Sequence, residues 1–476
     1  MSRLPIDGPA IGLFVMKRWW SLLLEAIRGS DRDYTIGPVG PALVMLSVPM
    51  VLEMAMESLF AVVDVFYASR ISADAVATIG VTESMLTIVY TVAMGLGIGA
   101  MAVVARRSGE KDDTGAAQAA AQSIALGLIV ALAIGVFGYF NAERLMRLMG
   151  ATPSMIDSSL GYTKVMFAGN ATVTLLFLNN AIFRGAGDPA IAMRMLWISN
   201  AINIVVCPLF IFGLGPFPEM GVTGAAVGTN IGRGSAVLAQ LWMLTSGRAR
   251  IHITRDQMRL VPSVMLNVCR LSGSGFLQIL IDTSSYVGLV RVISTFGSEA
   301  LAGYTIGIRL VIFAMMPAWG LGNAAATMVG QALGAKKPER AEESVWTAAK
   351  YNAIVLGLVG VSFIIFAPWI ISIYSSDPAV VPYAIGCLRI VSAGFVFFAY
   401  GLVLTQAFNG AGDTWTPTWI NLGCFWLLQI PLAWLLAIHF EMGPQGVFIA
   451  MTVAFSTLAV VSGVIFRRGW WKTRQV

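Results

Sequence analysis

The sequence predicts an all-α integral membrane protein, with about twelve transmembrane helices in two six-helix bundles related by a pseudo-two-fold axis along the membrane normal. Three observations carry that prediction. Of 476 residues, 57% are hydrophobic and only 12% charged, with a mean hydropathy of +0.76, whereas soluble chains are about 25% charged. About twelve apolar stretches each reach the roughly 20 residues that a bilayer core requires. The second half also repeats the first at a constant offset. Gly185-Ala186-Gly187-Asp188 recurs as Gly410-Ala411-Gly412-Asp413, 225 residues later, and the same shift carries Ala75 to Ala300, Gly95 to Gly320, Gly109 to Gly334, Pro153 to Pro378 and Lys164 to Arg389. One shift that holds through most of a half marks an internal duplication.

The spans of the first half fall near 38–67, 76–104, 117–140, 160–183, 190–213 and 222–245. Those of the second fall near 264–293, 300–333, 347–374, 382–408, 414–438 and 443–466. Before them, Ile11 to Met16 is too short to span and is followed by Lys17-Arg18-Trp19-Trp20. Residues 1–34 therefore read as an amphipathic segment in the membrane interface. The expected organisation is a first lobe over 35–246, a connector over 247–262, a second lobe over 263–467 and a tail over 468–476. Six spans return each lobe to its starting side, so both lobes share one orientation.

Lys and Arg set that orientation. Arg3, Lys17, Arg18, Arg28 and Arg32 precede the first span; Arg106, Arg107 and Lys111, then Arg248 to Arg259, Lys336 to Arg340 and Arg467 to Arg474 emerge on the same side. The opposite loops offer Arg70, Arg144, Arg147 and Arg291. Under the positive-inside rule both termini are expected in the cytoplasm, in the inner or plasma membrane.

The net charge of +6 does not point to nucleic acid, because the basic residues sit in short runs between apolar segments. Cys207, Cys269, Cys387 and Cys424 lie apart in apolar stretches and read as small buried hydrophobes. His252 and His439 lie near loops with no metal-ligand neighbour. No metal site, catalytic constellation or bound cofactor is expected, and the chain does not read as an enzyme.

Charges inside spans are the informative residues, since each costs about 2.5–3.5 kcal/mol at the bilayer centre unless it faces a cavity or a partner. The first span carries Glu53, Glu57 and Asp64 within roughly 40° of one another around a helix. That shared face is expected to line a cavity; pairing of Glu53 or Glu57 with Lys164 or Arg184 is the structural alternative. Glu83, early in the second span, adds an acid near the mouth of the same half, or a satisfied helix-end charge. On the seventh span Gln278 and Asp282 sit four apart, again on one face. Asp282 reads as a cavity acid or as the partner of Arg309 or Arg270. Lys164 and Arg389 read as snorkelling cations.

Several stretches resemble the multidrug and toxic compound extrusion (MATE) family. They are Pro49-x-x-x-Glu53 with Val62-Val63-Asp64, Gly109-Glu110-Lys111-Asp112, Arg184-Gly185-Ala186-Gly187-Asp188, Asn203-x-x-x-x-Pro208, Gly221-Val222-Thr223-Gly224, Gly334-Ala335-Lys336 and Asn409-Gly410-Ala411-Gly412-Asp413. The resemblance implies two bundles opening as a V, alternating access, and export of amphipathic organic cations driven by inward flow of protons or sodium. It places Asp64 where the family carries its first-helix coupling aspartate. The family often shows Asn-x-x-x-Asp-Pro on the fifth helix; here Asn203 is kept and Cys207 stands at the aspartate position, a poor sodium ligand when buried. Asp282 falls where some sodium-coupled members carry a glutamate, but Phe398 stands near the position of its acidic partner. Proton coupling is therefore favoured over sodium. The expected protein is a monomeric antiporter for small cationic molecules, in contact with lipid. Alternatives are a flippase for lipid-linked precursors, which would need a cationic cavity, and a polytopic membrane enzyme, which would need a nucleophile or metal cluster.

Overall fold

In the computed structural model of the chain, residues 20–30 and 32–474 are described, with the backbone alone for 59–65, 68, 69 and 73. Residues 1–19 of the expected interfacial segment and the side chain of Asp64 lie outside the described residues. A short helix over 20–28 comes first, with Leu22 and Ala26 buried and Trp20 exposed.

Twelve spans follow. They are α1 (Val39–Ser69), α2 (Ala73–Gly109), α3 (Asp113–Leu148), α4 (Pro153–Ala168 and Asn170–Ala186), α5 (Pro189–Phe212) and α6 (Val222–Thr245). The second half supplies α7 (Pro262–Ile293), α8 (Ser298–Gly334), α9 (Pro338–Ser372), α10 (Val381–Ala393 and Phe395–Gly410), α11 (Trp415–His439) and α12 (Pro444–Arg467). Nine of these are long and apolar enough to cross a bilayer singly, and α4 and α10 do so as bent pairs. The remaining helix, α6, is less apolar because it carries Asn230, Arg233 and Gln240. Caps fix several starts: the side chains of Ser72, Asp112 and Thr152 accept from the backbone N–H of Ala75, Gly115 and Met155.

The duplication extends to backbone detail. Lys111 and Lys336 both adopt φ 59°, and Gly187 and Gly412 end α4 and α10 in the left-handed region at φ 83° and 82°. The bends of α4 (40°) and α10 (56°) fall at Gly169 and Gly394, again 225 residues apart. At the first bend Asn230 of α6 occupies the space a Cβ on Gly169 would need, and its Nδ2 adds a 3.3 Å bond to Val165 O, which also accepts from the Gly169 N–H at 2.9 Å.

The apolar pattern is that of a protein in lipid. On α3, Ile129, Leu132, Val136, Phe137 and Phe140 are all more than half exposed, while the face of Ala116, Ala120 and Ala131 is buried. An outer surface this apolar is stable only against hydrocarbon.

The halves interlace at the basic side. Leu43, Met45, Leu46 and Met50, from the first part of α1, belong to a core otherwise built mainly from the second half. Reciprocally, Val268 and Leu271 of α7 belong to a core of the first half. Small residues permit the crossings. A Cβ on Gly95 of α2 would meet Phe276 N at 2.6 Å, and one on Gly320 of α8 would meet Val51 N at 2.7 Å. Gly95→Val or Gly320→Val should therefore lower thermal stability by about 1–3 kcal/mol, whereas Gly80→Ala, whose Cβ meets nothing within 4 Å, should leave the melting curve unchanged or raised.

Nearer the basic ends, α2 and α8 cross with Gly109 against Gln331 and Gly334 against Arg106. A strap over residues 32–37 binds this face to the second half. Arg340 donates to the carbonyls of Tyr34 (2.8 Å), Ile36 (3.0 Å) and Gly37 (2.6 Å), and Lys337 donates to Thr35 O at 2.9 Å. Burial opposes ionisation of Asp33 in the strap, but bonds from Thr35 and the nearby Lys111 and Lys337 outweigh it and hold its carboxyl below the usual value. At the far end of the chain Arg106 donates to Arg474 O at 2.7 Å, while the Arg474 guanidinium meets Asp413 at 3.4 Å. Away from this face, the outer core of the first half contains first-half residues only. The bundles part there as the arms of a V.

Candidate functional site

The V encloses a cavity of about 940 Å³ with walls from both halves. Met54, Met94, Met101, Met315 and Met316 share its lining with aromatic rings of Phe177, Tyr286, Trp319, Phe398 and Phe425. Unbranched thioethers and ring faces adapt to varied apolar ligands, and the ring faces attract cations.

Of the residues singled out from the sequence, Glu83, Gln278 and Asp282 line this cavity. Glu53, Glu57, Asn203 and Cys207 do not; they sit behind its first-half wall, in contacts between helices.

Glu53 is 1% exposed. Its Oε1 accepts from Arg184 Nη1 at 2.6 Å and from Asn180 Nδ2 at 2.9 Å, both on α4. Asn180 Oδ1 in turn accepts from Gln240 Nε2 of α6 at 2.6 Å. Arg184 reaches the cavity, so the wall there shows a guanidinium with its carboxylate behind it. Glu57 Oε1 accepts from Arg233 Nη2 at 3.1 Å; Arg233 also donates to Tyr90 Oη at 3.1 Å and lies over the Tyr90 ring. The acidic face expected on α1 is thus split, at Glu53 and Glu57, into two arginine-neutralised pairs. Helical geometry put the two acids on one side; partners from α4 and α6 then divided them. Arg184 was legible as a partner for Glu53. Arg233 was not, although an arginine within a span is itself a signal.

On α5, Asn203 Nδ2 donates to Cys207 Sγ at 3.2 Å and to Thr229 Oγ1 at 3.1 Å, and the Cys207 thiol donates to Ala225 O at 3.7 Å. The thiol is buried completely. A Cβ on Gly228 would meet Cys207 Sγ at 2.5 Å, so α6 packs directly on it.

The second half is different. The 225-residue shift carries Glu53 to Gln278, Glu57 to Asp282 and Arg233 to Leu458. Without the arginine, Asp282 Oδ1 accepts from Asn421 Nδ2 of α11 at 2.9 Å. Among the described residues no cation lies within ion-pair distance of it; the pairs with Arg309 or Arg270 admitted by the sequence are not formed. Immediately after Asn421, α11 relaxes into π-helical turns over Leu422–Gln429, a distortion that recurs at functional positions in helices. Phe398 is on the cavity wall, near the position at which the family resemblance places an acidic partner. Arg309 and Glu83 face the same space from opposite halves.

Two arms of a V built from one repeated unit, around a central cavity, form a specific architecture, and comparison with known proteins identifies it. The MatE family model matches residues 49–209 and again residues 275–435. The chain belongs to the MATE family. Members of this family are multidrug efflux transporters, integral to the membrane. This MATE chain is 24% identical over 440 residues to the probable multidrug resistance protein NorM of Thermotoga maritima, covering 91% of this chain and 93% of that protein. It is 22% identical to the probable multidrug resistance protein YoeA of Bacillus subtilis (90% and 93% covered) and 24% identical to the FAD transporter of Shewanella oneidensis (83% and 88% covered). Among solved structures, MATE in the bent conformation superposes with a TM-score of 0.85 at 24% identity, over 94% of this chain and 97% of that one. The outward-facing conformation of a multidrug resistance MATE family transporter gives 0.85 at 25% identity, over 92% and 98%.

Proposed function

We propose that this MATE transporter is an antiporter that exports amphipathic organic cations in exchange for an inward ion, and that the ion is a proton. The observation that carries the reading is Asp282: a carboxylate on the wall of a Met- and aromatic-lined cavity, held by an amide and, among the described residues, by no arginine. Such a group attracts a cation when ionised and releases it when protonated. Phe398 supports the proton over sodium, because Asp282 then lacks the second carboxylate that a sodium site built from hard oxygen ligands would use. Asp64, by its place in the family's first-helix motif, is the second coupling carboxylate of this reading. A ligand shifts a two-state equilibrium only through unequal affinity for the two states, so protonation must favour the state that has lost its cation. The basic face, closed by the strap and the α2–α8 crossing, is the cytoplasmic one in this reading, with both termini on it.

Reconstitution in liposomes tests the proposal. A fluorescent organic cation should leave against an imposed proton gradient and not against a sodium gradient, and Asp64→Asn should stop it. Sodium-driven efflux would overturn the ion assignment; efflux driven by neither would overturn the coupling. A second reading, transport of an anionic substrate such as a lipid-linked precursor, draws on Arg184 and Arg309 in the wall and on the FAD transporter among the relatives. An anionic fluorophore carried in preference to the cationic one would favour it.

A further inference from the structure

The two walls of the cavity are repeat mates. The 225-residue shift carries Thr87 to Ile312, Tyr90 to Met315 and Met94 to Trp319, and all six line the cavity. Because α2 starts at Ala73 and α8 at Ser298, themselves 225 apart, mates on the two helices lie at equal depth on opposite arms. Glu83 stands four residues before Thr87 and Arg309 three residues before Ile312. Each therefore extends its own wall outward by one turn. Counted from the helix starts, Glu83 lies about 15 Å and Arg309 about 17 Å along, so the two are level within a residue. Their charges are opposite. Both residues are exposed, and neither side chain has a hydrogen bond or ion pair among the described residues.

We propose that Glu83 and Arg309 form the outer gate of the transporter, an ion pair absent while the V is open and made when its arms close. Two level, opposite charges, neither in a described ion pair, on surfaces that must approach each other have a simple physical consequence. Closure strips water from both, and an unpaired charge in that setting is strongly unfavourable, while a paired one is tolerated. Asp282 is not an equivalent partner for Arg309. It belongs to the same arm, and rotation of the arms as bodies leaves the spacing of α7 and α8 unchanged. Arg233 attracts Glu83 from a distance, but it is likewise on the arm of Glu83 and holds Glu57. Glu83 and Arg309 belong to different arms, at one level of the cavity wall, so their separation changes with the cycle.

Charge exchange tests this in the full-length protein. Glu83→Arg and Arg309→Glu should each reduce efflux about tenfold, the coupling expected of two charges in contact, and the double exchange should recover most of the loss. A double variant no better than the worse single one would overturn the gate, as would single variants that alter affinity for the exported cation while leaving the turnover unchanged. Independently of transport, Glu83→Cys with Arg309→Cys, in a background with the exposed Cys269 replaced by serine, should lose both free thiols on mild oxidation through an intramolecular disulfide. Persistence of reactive thiols would overturn the proposal. Formation of that disulfide in a protein that moves no cation under any gradient would leave the gate standing and remove the antiport reading instead.

Discussion

Arg184→Ala is expected to be among the most damaging single changes in the first half. It removes the shortest bond to Glu53 and leaves a fully buried carboxylate with Asn180 as its remaining described partner. Breaking one side of a buried ion pair costs about 3–5 kcal/mol, because the surviving charge has lost water and gained nothing. The effect should be asymmetric. Glu53→Gln leaves Arg184 unpaired, but the guanidinium borders the cavity and can be hydrated, so its cost should be smaller. Replacing both, Arg184→Ala with Glu53→Gln, should restore much of the stability lost in the arginine variant. Thermal unfolding of the three purified proteins in detergent checks the order. Equal destabilisation by the two single changes would show that Glu53 is less isolated from water than its 1% exposure implies. Because Arg184 O also accepts from Thr327 Oγ1 of α8 at 3.2 Å, distortion of this turn should be felt at the junction of the halves as well.

Asp282→Asn should have the opposite profile, with little change in stability and a large change in transport. Asparagine keeps the volume, and its carbonyl oxygen can still accept from Asn421, so melting should stay close to that of the parent. The cavity loses its one second-half carboxylate, and with it the group proposed to exchange a cation for a proton. Gradient-driven efflux should fall by at least about tenfold, within the range that couplings between ligands take in transport and allostery, and the pH dependence of cation binding should flatten. Glu57→Gln, which breaks the described ion pair of the buried Arg233, should instead lower stability first. If Asp282→Asn exports normally under the effective gradient, the exchange must run through Asp64 alone.

Much of the architecture was legible in the residues. Spans are written in long apolar runs, and the shift that aligns Gly185 with Gly410 also aligns Gly169 with Gly394, the two places where helices bend. The site was legible in part. Glu53, Glu57 and Asp282 stand out because charges in spans are costly, yet their roles depend on helices far away in sequence. Glu57 and Asp282 occupy the same position of the repeat, and what separates them is Arg233 in one half against Leu458 in the other. No local pattern around either acid records that difference. Arg233 lies in the least apolar span, where one charge among Asn and Gln residues attracts little notice. Asn421 was missed for another reason: an asparagine near the end of a short α-helical stretch is ordinary until the turn after it is seen to widen.

The interlacing of α1 with the second half bears on how the chain is made. Leu43, Leu46 and Met50 are completely buried in the finished protein, in a core whose other members are mainly second-half residues synthesised more than two hundred positions later. While a ribosome is still adding α2 to α6, these side chains lack most of the core that finally buries them, and the first bundle is an unfinished body with one face waiting. Assembly therefore cannot proceed as two independent units that dock when complete. The duplicated gene yields two similar halves, but each half lends the other a strand of its core, and neither is a finished fold until the last helices of the chain have entered the membrane.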